Sequence, residues 1–139
     1  MPETSYRKPL PRINELSGPH WEGLKRHELL IQRCIACGKH WFPPSHRCPA
    51  CLSIEYEWAP VSGKAHLWSW IHMWQRYYPA FEAEIPYNVA YVELEEGVRM
   101  MTNLVDVDLE DLRCDMPLEP VFEDVTADVT LLKFRPAQS

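Results

Sequence analysis

CIACGKHWFPPSHRCPAC, residues 34–51, is the stretch of this sequence that decides the fold. It holds two C-x2-C pairs with ten residues between them, and the four cysteines are Cys34, Cys37, Cys48 and Cys51. Each pair predicts a short turn whose two sulfurs point at one ion, and two such turns complete the tetrahedral thiolate set that Zn2+ accepts. Gly38 can take the positive φ that turns backbone amides toward the thiolates, and Pro49 stiffens the second pair. The spacing therefore predicts one zinc site.

Two other interpretations of these cysteines remain open. Two disulfides would need an oxidising compartment, whereas no apolar signal peptide precedes the cysteines. Iron is the rival metal, because Cys-Ile-Ala-Cys-Gly and Cys-Pro-Ala-Cys resemble the two knuckles of rubredoxin. The short connection between the pairs favours a zinc ribbon. A closed four-cysteine site leaves no coordination position for water or substrate, so we expect the metal to hold the fold rather than to activate a substrate.

The fifth cysteine, Cys114, is a candidate nucleophile only in principle. It lies between Arg113 and Asp115 with no histidine near it in the sequence. We interpret it as a small buried thiol without a catalytic role.

Length and composition predict a small protein with one sizeable core. The chain has 139 residues, of which 46% are hydrophobic, enough for one core beside a metal-stapled subdomain. No apolar run approaches the roughly 20 residues that span a membrane, and the first residues are polar and proline-rich. We expect a cytoplasmic protein that does not enter a membrane.

The charge is unevenly distributed along the chain. Residues 1–60 carry a net +2 and residues 61–139 a net −8, within a total of −6. Nucleic-acid binding draws its affinity from Lys and Arg that neutralise phosphates. A zinc-ribbon and OB-fold protein that binds single-stranded nucleic acid is therefore an alternative that the charge disfavours.

The pattern along the chain predicts an extended arm, a helix and then strands. Ser17 and Gly18 stand at a helix start, Pro19 suits the first turn, and the helix is expected to reach about His27. In 66–74, alternation predicts Trp68 and Trp70 on one face of a strand and the residues between them on the other. A helical turn is expected within 106–113, and the expected strands are 29–33, 56–58, 66–74, 87–94, 98–105, 117–125 and 130–134. Three strands, a helical turn and two strands are the order of an OB-fold barrel.

From about Gly18 to Pro136 the chain resembles a known family, the acyl-CoA-associated proteins that join an N-terminal rubredoxin-like zinc ribbon to a C-terminal OB-fold. The matching stretches are Trp21-Glu22-Gly23-Leu24, Gln32-Arg33-Cys34, Cys37-Gly38, Pro43-Pro44, Cys48-Pro49-Ala50-Cys51, Pro86-Tyr87-Asn88-Val89-Ala90, Glu93-Leu94, Glu96-Gly97 and Phe134-Arg135-Pro136. Two positions depart from the family pattern. Ser45 replaces the usual arginine, and Asp115 replaces a glycine whose left-handed backbone Asp can tolerate.

The resemblance implies a mainly β protein with an N-terminal arm and helix in 1–30, a zinc ribbon in 31–60 and an OB-fold in 61–139. Members of the family look like small, non-catalytic subunits of thiolase-fold enzymes that make or break carbon–carbon bonds in acyl-CoA thioesters. These include thiolases and steroid side-chain aldolases. By this resemblance the partner is a thiolase-fold catalytic subunit in a hetero-oligomer, and an acyl-CoA thioester is the substrate of the complex.

Two groups of residues are candidate contacts beyond the metal. The first could attract the anionic 3′-phospho-ADP of CoA or stack on its adenine, and consists of Arg33, Lys39, Trp41 and Arg47, with His40, His46 and Phe42 beside them. The second is aromatic, is expected at a partner interface or at the acyl pocket, and consists of Trp21 on the helix with Trp74, Tyr77, Tyr78 and Phe81 on the first loop of the barrel. The simpler interpretation of the first group is solvated charge and ordinary packing of the ribbon. That of the second group is packing in the chain's own core.

Overall fold

The described residues form one α-helix and eight strands in two antiparallel sheets. The computed structural model describes residues 10–75 and 79–137, with the side chains of all of these except 81 and 82. The first sheet has the order β2-β1-β3 and the second the order β6-β5-β4-β7-β8. The elements are α1 Gly18–Lys25, β1 Leu29–Cys34, β2 His40–Trp41, β3 Tyr56–Val61, β4 Ala65–Met73, β5 Tyr87–Leu94, β6 Arg99–Thr102, β7 Pro117–Asp124 and β8 Thr130–Pro136. The predicted fold class is confirmed.

Helix α1 is fixed at both ends by local hydrogen bonds. Before it, the Ser17 backbone N–H donates to Asn14 Oδ1 at 2.8 Å, and the Asn14 N–H donates to Ser17 Oγ at 3.2 Å. At its end, His27 takes a φ of 59° and Glu28 N–H donates to the Gly23 carbonyl at 2.8 Å, the pattern of a Schellman cap. The helix therefore stops two residues before the position that the sequence predicts.

Gly23 lets the helix lie against the strand that follows it. A Cβ at Gly23 would lie 2.9 Å from Leu30 Cγ, closer than real Cβ contacts, and 3.0 Å from the Glu28 carbonyl oxygen, which is also tight. The next residue, Leu24, is 1% exposed and joins one hydrophobic core with Ile31 of β1 and Phe134 of β8. The helix and the first sheet are thus held on the barrel by a shared core.

The second sheet closes into a barrel through its two end strands. After β6, Leu104 bridges Phe134 of β8, and Val105 N–H donates to the Phe134 carbonyl at 2.8 Å. Asn88 of β5 supports this closure, because its Nδ2 donates to the Leu104 carbonyl at 2.9 Å and its Oδ1 accepts from the Leu104 N–H at 2.6 Å. The predicted OB-fold topology is therefore present, with a 3-10 turn at Leu109–Asp111 before β7.

The simple alternation expected along β4 is wrong. The pairing of β4 with β5 runs from Leu67 opposite Val92 to Ser69 opposite Tyr91, which leaves Trp68 as the extra residue of a β-bulge. Because of the bulge, Leu67 and Trp70 both pack on the core while Trp68 is 45% exposed. The two indoles therefore do not share a face.

The segment before β7 brings one correction and one confirmation. Cys114 is exposed, not buried, because Leu112 and Leu118 occupy the core positions on either side of it. Asp115 has a φ of 64°, so it does adopt the left-handed backbone expected at a position where the family has glycine. Its N–H donates to the Leu67 carbonyl at 2.7 Å, which ties this turn to β4.

Candidate functional site

The four cysteines predicted to bind metal converge at one end of the first sheet. All four Sγ atoms lie within 4.8 Å of one another, with 3.5 Å between those of Cys34 and Cys51 and 3.6 Å between those of Cys37 and Cys48. A tetrahedron built on Zn–S bonds of about 2.3 Å has edges of roughly 3.8 Å. The thiol spacing therefore fits a zinc ion. One cysteine of each pair is buried and the other is exposed.

The two knuckles repeat the same backbone geometry. Gly38 N–H donates to the Cys34 carbonyl at 2.9 Å, and Leu52 N–H donates to the Cys48 carbonyl at 2.9 Å. The residue after each pair is left-handed, with φ of 79° at Gly38 and 66° at Leu52. Glycine takes this conformation freely, whereas leucine is strained in it. The expected role of Gly38 agrees with this geometry, and the strain at Leu52 is not visible from the sequence.

Backbone donors and neighbouring sulfurs move the pKa values of these thiols in opposite directions. Burial raises the pKa of Cys48, but N–H groups of Cys51 and Ala50 donate to its sulfur and bring the value down to about 7. A hydrogen bond from the Ser53 backbone lowers the pKa of Cys51, but the Cys34 thiol and burial outweigh it and raise the value to about 12. Bound zinc would keep all four cysteines as thiolates, because its positive charge stabilises the deprotonated sulfurs.

A cleft of about 300 Å³ lies between the ribbon and the barrel. Its walls include Lys39, His40 and Trp41 from the ribbon and Tyr91 and Arg99 from the barrel. Trp41 is 6% exposed, and its Nε1 has no hydrogen-bond partner in the described part of the chain. A buried N–H without an acceptor is rare in folded proteins and is commonly satisfied by water or a ligand. The cleft thus combines cationic groups and aromatic walls, and the unsatisfied Trp41 Nε1 is buried in the ribbon behind it.

The four residues expected to contact CoA separate into two sets. Lys39 and Trp41 line the cleft. Arg33 instead pairs with Glu57 on the neighbouring strand at 3.1 Å, and Arg47 Nη1 donates to the Leu52 carbonyl at 3.0 Å. The structure brings Arg99 to the cleft, a contribution from the barrel that sequence spacing could not reveal.

Trp21 lies beside a second, more apolar groove of about 240 Å³ between α1, β6 and β8. Its ring is half-buried against the shared core and meets His20 edge to face, with 5.3 Å between ring centroids. His20 is 4% exposed and its Nδ1 lies 3.1 Å from the Leu30 carbonyl. Burial lowers the pKa of His20, against a smaller opposite effect of this hydrogen bond. Trp21 is thus part of the chain's own packing.

The aromatic loop is described only in part. Trp74, directly after β4, is 69% exposed, and the 3-10 turn Pro79–Glu84 precedes β5. Tyr77 and Tyr78 lie outside the described residues, and the side chain of Phe81 is also not described.

Gln32 is a site residue that the sequence analysis did not single out for its role. Its amide bridges the proline loop to β1, since Nε2 donates to the Ser45 carbonyl at 2.8 Å and Oε1 accepts from the Ser45 N–H at 2.9 Å. It is 1% exposed in the middle of β1. A glutamine inside an otherwise apolar strand segment was the available signal, because a buried amide must find partners.

A four-thiol knot in a three-stranded sheet, followed by a five-stranded barrel, defines a zinc-ribbon and OB-fold protein. A family model described as the ChsH2 rubredoxin-like zinc ribbon domain matches residues 21–57, and one described as the ChsH2 C-terminal OB-fold domain matches residues 58–123. The chain belongs to this family, whose relatives are also described as DUF35 proteins.

Relatives with known descriptions include subunits of CoA-dependent enzymes. A probable enoyl-CoA hydratase alpha subunit from Thermomonospora curvata is 37% identical over 94% of this chain, but the match covers 40% of that protein. A DUF35 domain-containing scaffold protein from Methanocaldococcus jannaschii is 35% identical over 78% of this chain and 77% of the relative. The benzoylsuccinyl-CoA thiolase subunit BbsA from Thauera aromatica is 30% identical over 63% of this chain and 58% of the relative.

A solved structure extends the match to three dimensions. A chain of the Ltp2-ChsH2(DUF35) aldolase superposes with a TM-score of 0.82 and 36% identity, covering 93% of this chain and 100% of that one. None of the helices in residues 10–75 and 79–137 is long and apolar enough to cross a membrane.

Proposed function

We propose that this chain is a non-catalytic, zinc-stapled subunit of a thiolase-fold enzyme complex that forms or cleaves carbon–carbon bonds in acyl-CoA thioesters. The chain supports assembly of the complex and contributes to the surroundings of the acyl-CoA site. The nucleophile and the acid and base groups lie on the partner subunit. Thiolase and aldolase chemistry are both compatible with this role.

The match to a chain of a two-protein aldolase carries the proposal. That match runs over 100% of the related chain at 36% identity, so the resemblance includes both the ribbon and the barrel. Two relatives support the same role, because one is described as a scaffold protein and the other as a subunit of a thiolase.

Zinc fits the ribbon as a structural ion held by the four thiolates of Cys34, Cys37, Cys48 and Cys51. When bound, it supplies cross-linking of the two knuckles and no reactive ligand position. Gln32 fixes the loop between the two knuckles to β1 through its two hydrogen bonds to the Ser45 backbone. The ribbon wall of the cleft is held in place by the same framework.

The cleft between ribbon and barrel is the proposed contact for the anionic end of CoA. Lys39 makes no ion pair within the described residues, and Arg99 and His40 face the same space. A phosphate there would gain charge-assisted hydrogen bonds, and an adenine could stack on an aromatic wall. The original set of four residues is thereby reduced to Lys39 and Trp41, joined by His40. Arg99 lines the same cleft, but its guanidinium is paired with Glu93.

The loop after β4 is the proposed neighbour of the acyl group. Trp74 is largely exposed, and large exposed aromatic side chains are typical anchors of interfaces. Tyr77, Tyr78 and Phe81 belong to the same loop by sequence. Trp21 is retained as an alternative interface residue, at the apolar groove beside α1.

Co-expression with individual thiolase-fold proteins of the source organism tests the proposal. One of them should co-elute with this chain as a complex of fixed stoichiometry, measured by size exclusion with light scattering. Cys114→Ala should leave turnover of that complex within a few-fold, because the thiol has no catalytic role. Loss of turnover in this variant, with assembly intact, would place chemistry on this chain.

A second measurement addresses the cleft. Lys39→Ala should raise the KM of the complex for acyl-CoA and leave the KM for the matching acyl-pantetheine, which lacks the nucleotide, unchanged. Arg47→Ala is the matched control, because Arg47 is an equally basic ribbon residue outside the cleft. Equal effects of the two variants would remove the cleft from the proposal.

A further inference from the structure

The outer surface of strands β4, β5 and β6 carries a group of neighbouring apolar side chains although it faces away from the barrel core. Along β5, burial alternates so that Asn88, Ala90 and Val92 face inward while Val89 and Tyr91 face outward. The pairing places Ile71 of β4 opposite Val89, and Met101 of β6 opposite Tyr91. These outward side chains therefore adjoin one another across three strands.

The bulge in β4 adds an indole to this surface. Trp68 is the extra residue between Leu67 and Ser69, and its ring lies 5.9 Å from that of Tyr91 between centroids. The Arg99 guanidinium lies over the Trp68 ring, 4.1 Å from its centroid, and Arg99 Nε donates to Glu93 at 2.9 Å. A β-bulge re-aims a side chain at the cost of ladder regularity. Here it turns a large aromatic group toward solvent.

We call four outward side chains the outer face: Trp68, Ile71, Tyr91 and Met101. Tyr91 is half-buried and the other three are exposed. Trp68 is 45%, Ile71 56% and Met101 67% exposed. Together they leave on the order of 300 Å² of apolar surface in water, which reaches the size of the largest such patch on typical monomers. The largest apolar patch on a typical monomer is often functional.

The character of the outer face points to a protein as its occupant. The surface is formed by three adjacent strands, and its one cation, Arg99, is already paired with Glu93. Single-stranded nucleic acid would need unpaired cations, and residues 61–139 carry a net charge of −8. An uncharged protein surface that buries the rings is the better complement.

We propose that the outer face is the docking surface for the thiolase-fold catalytic subunit, an inference that rests on the proposed function. Two observations favour this occupant over a second copy of the chain. The solved relative, similar over its full length, belongs to a two-protein aldolase. In addition, Tyr91 and Arg99 belong both to this surface and to the cleft. A catalytic subunit seated here would lie directly beside the proposed CoA contact.

Binding measurements on the full chain and its thiolase-fold partner test this docking surface. Trp68→Ala is expected to raise the Kd about 30-fold or more, as for central aromatic anchors. Met101→Asp and Ile71→Asp are expected to prevent detectable assembly, because each would bury a carboxylate without a partner. Both replaced side chains are exposed, so the melting temperature of each free variant should stay within about 2 °C of the original.

Ile54→Asp is the matched control, since Ile54 is 64% exposed but lies on the ribbon between the second knuckle and β3. It should leave the Kd within threefold. If the outer-face variants assemble normally, or if they abolish self-association of the chain instead of partner binding, the docking surface is wrong while the proposed function stands. If no thiolase-fold protein binds the unmodified chain, both are wrong.

Discussion

Replacement of Asn88 by alanine tests how the barrel is closed. Asn88 and Leu104 are 8% and 4% exposed, and the amide of Asn88 makes both hydrogen bonds to the Leu104 backbone. Alanine would leave a buried N–H and a buried carbonyl without partners, at about 1–3 kcal/mol each. The expected loss is about 2–5 kcal/mol, a large fraction of the roughly 5–15 kcal/mol that stabilises a typical domain.

Chemical and thermal unfolding of the zinc-loaded chain measure this effect. For a chain of this size the loss corresponds to a fall in melting temperature of about 7–17 °C. Asn103→Ala is the matched control, because the side chain of Asn103 makes one hydrogen bond, to the Asn88 carbonyl, at a half-buried position. It should cost about 1 kcal/mol. Equal, small effects of the two substitutions would refute the view that Asn88 holds β6 against β8.

Three other predictions concern the ribbon and the helix. Cys48→Ser, or zinc removal by a chelator, should give partly unfolded or insoluble protein, because structural zinc contributes on the order of 10 kcal/mol in zinc-finger peptides; a metal-free variant that melts normally would contradict this role. Positions 38 and 52 both have positive φ, so Leu52→Gly should stabilise the chain by up to about 1 kcal/mol in urea titrations and Gly38→Ala should destabilise it by at least as much. Stability changes of the opposite sign would refute the backbone strain at Leu52. Burial lowers the pKa of His20 below its unfolded value of about 6.5, so the unfolded chain takes up a proton first as the pH falls, and the free energy of unfolding should decrease below about pH 6.5. A His20→Asn variant whose stability depends on pH in the same way would show that another group is responsible.

All of the described strands except β2, and the metal knot, could be predicted because their signals are local in the sequence. The cysteine spacing brought four sulfurs together, and 87–94 was predicted with the bounds that β5 has. Asp115 was expected to be left-handed from its place in the family pattern, and its φ of 64° agrees. In each case the residue type itself restricts the backbone or the ligand.

The features that escaped prediction depend on contacts between distant segments. The bulge at Trp68 arises from the fit of β4 to β5 and leaves no mark in an alternating sequence. Arg99 lines the cleft because the barrel packs beside the ribbon in the folded chain. Cys114 is exposed because its neighbours fill the core. The ion pair between Arg33 and Glu57, which lies opposite it on β3, also joins segments that are distant in the sequence.

Turnover of an acyl-CoA thioester by the separate and combined subunits tests the central claim most directly. The thiolase-fold partner alone should be weakly active or inactive, this chain alone should show no turnover, and the mixture should reach full activity at the stoichiometry of the complex. Addition of this chain as its Cys48→Ser variant should fail to restore activity. Turnover by the isolated chain, or full activity of the partner without it, would contradict a non-catalytic supporting subunit.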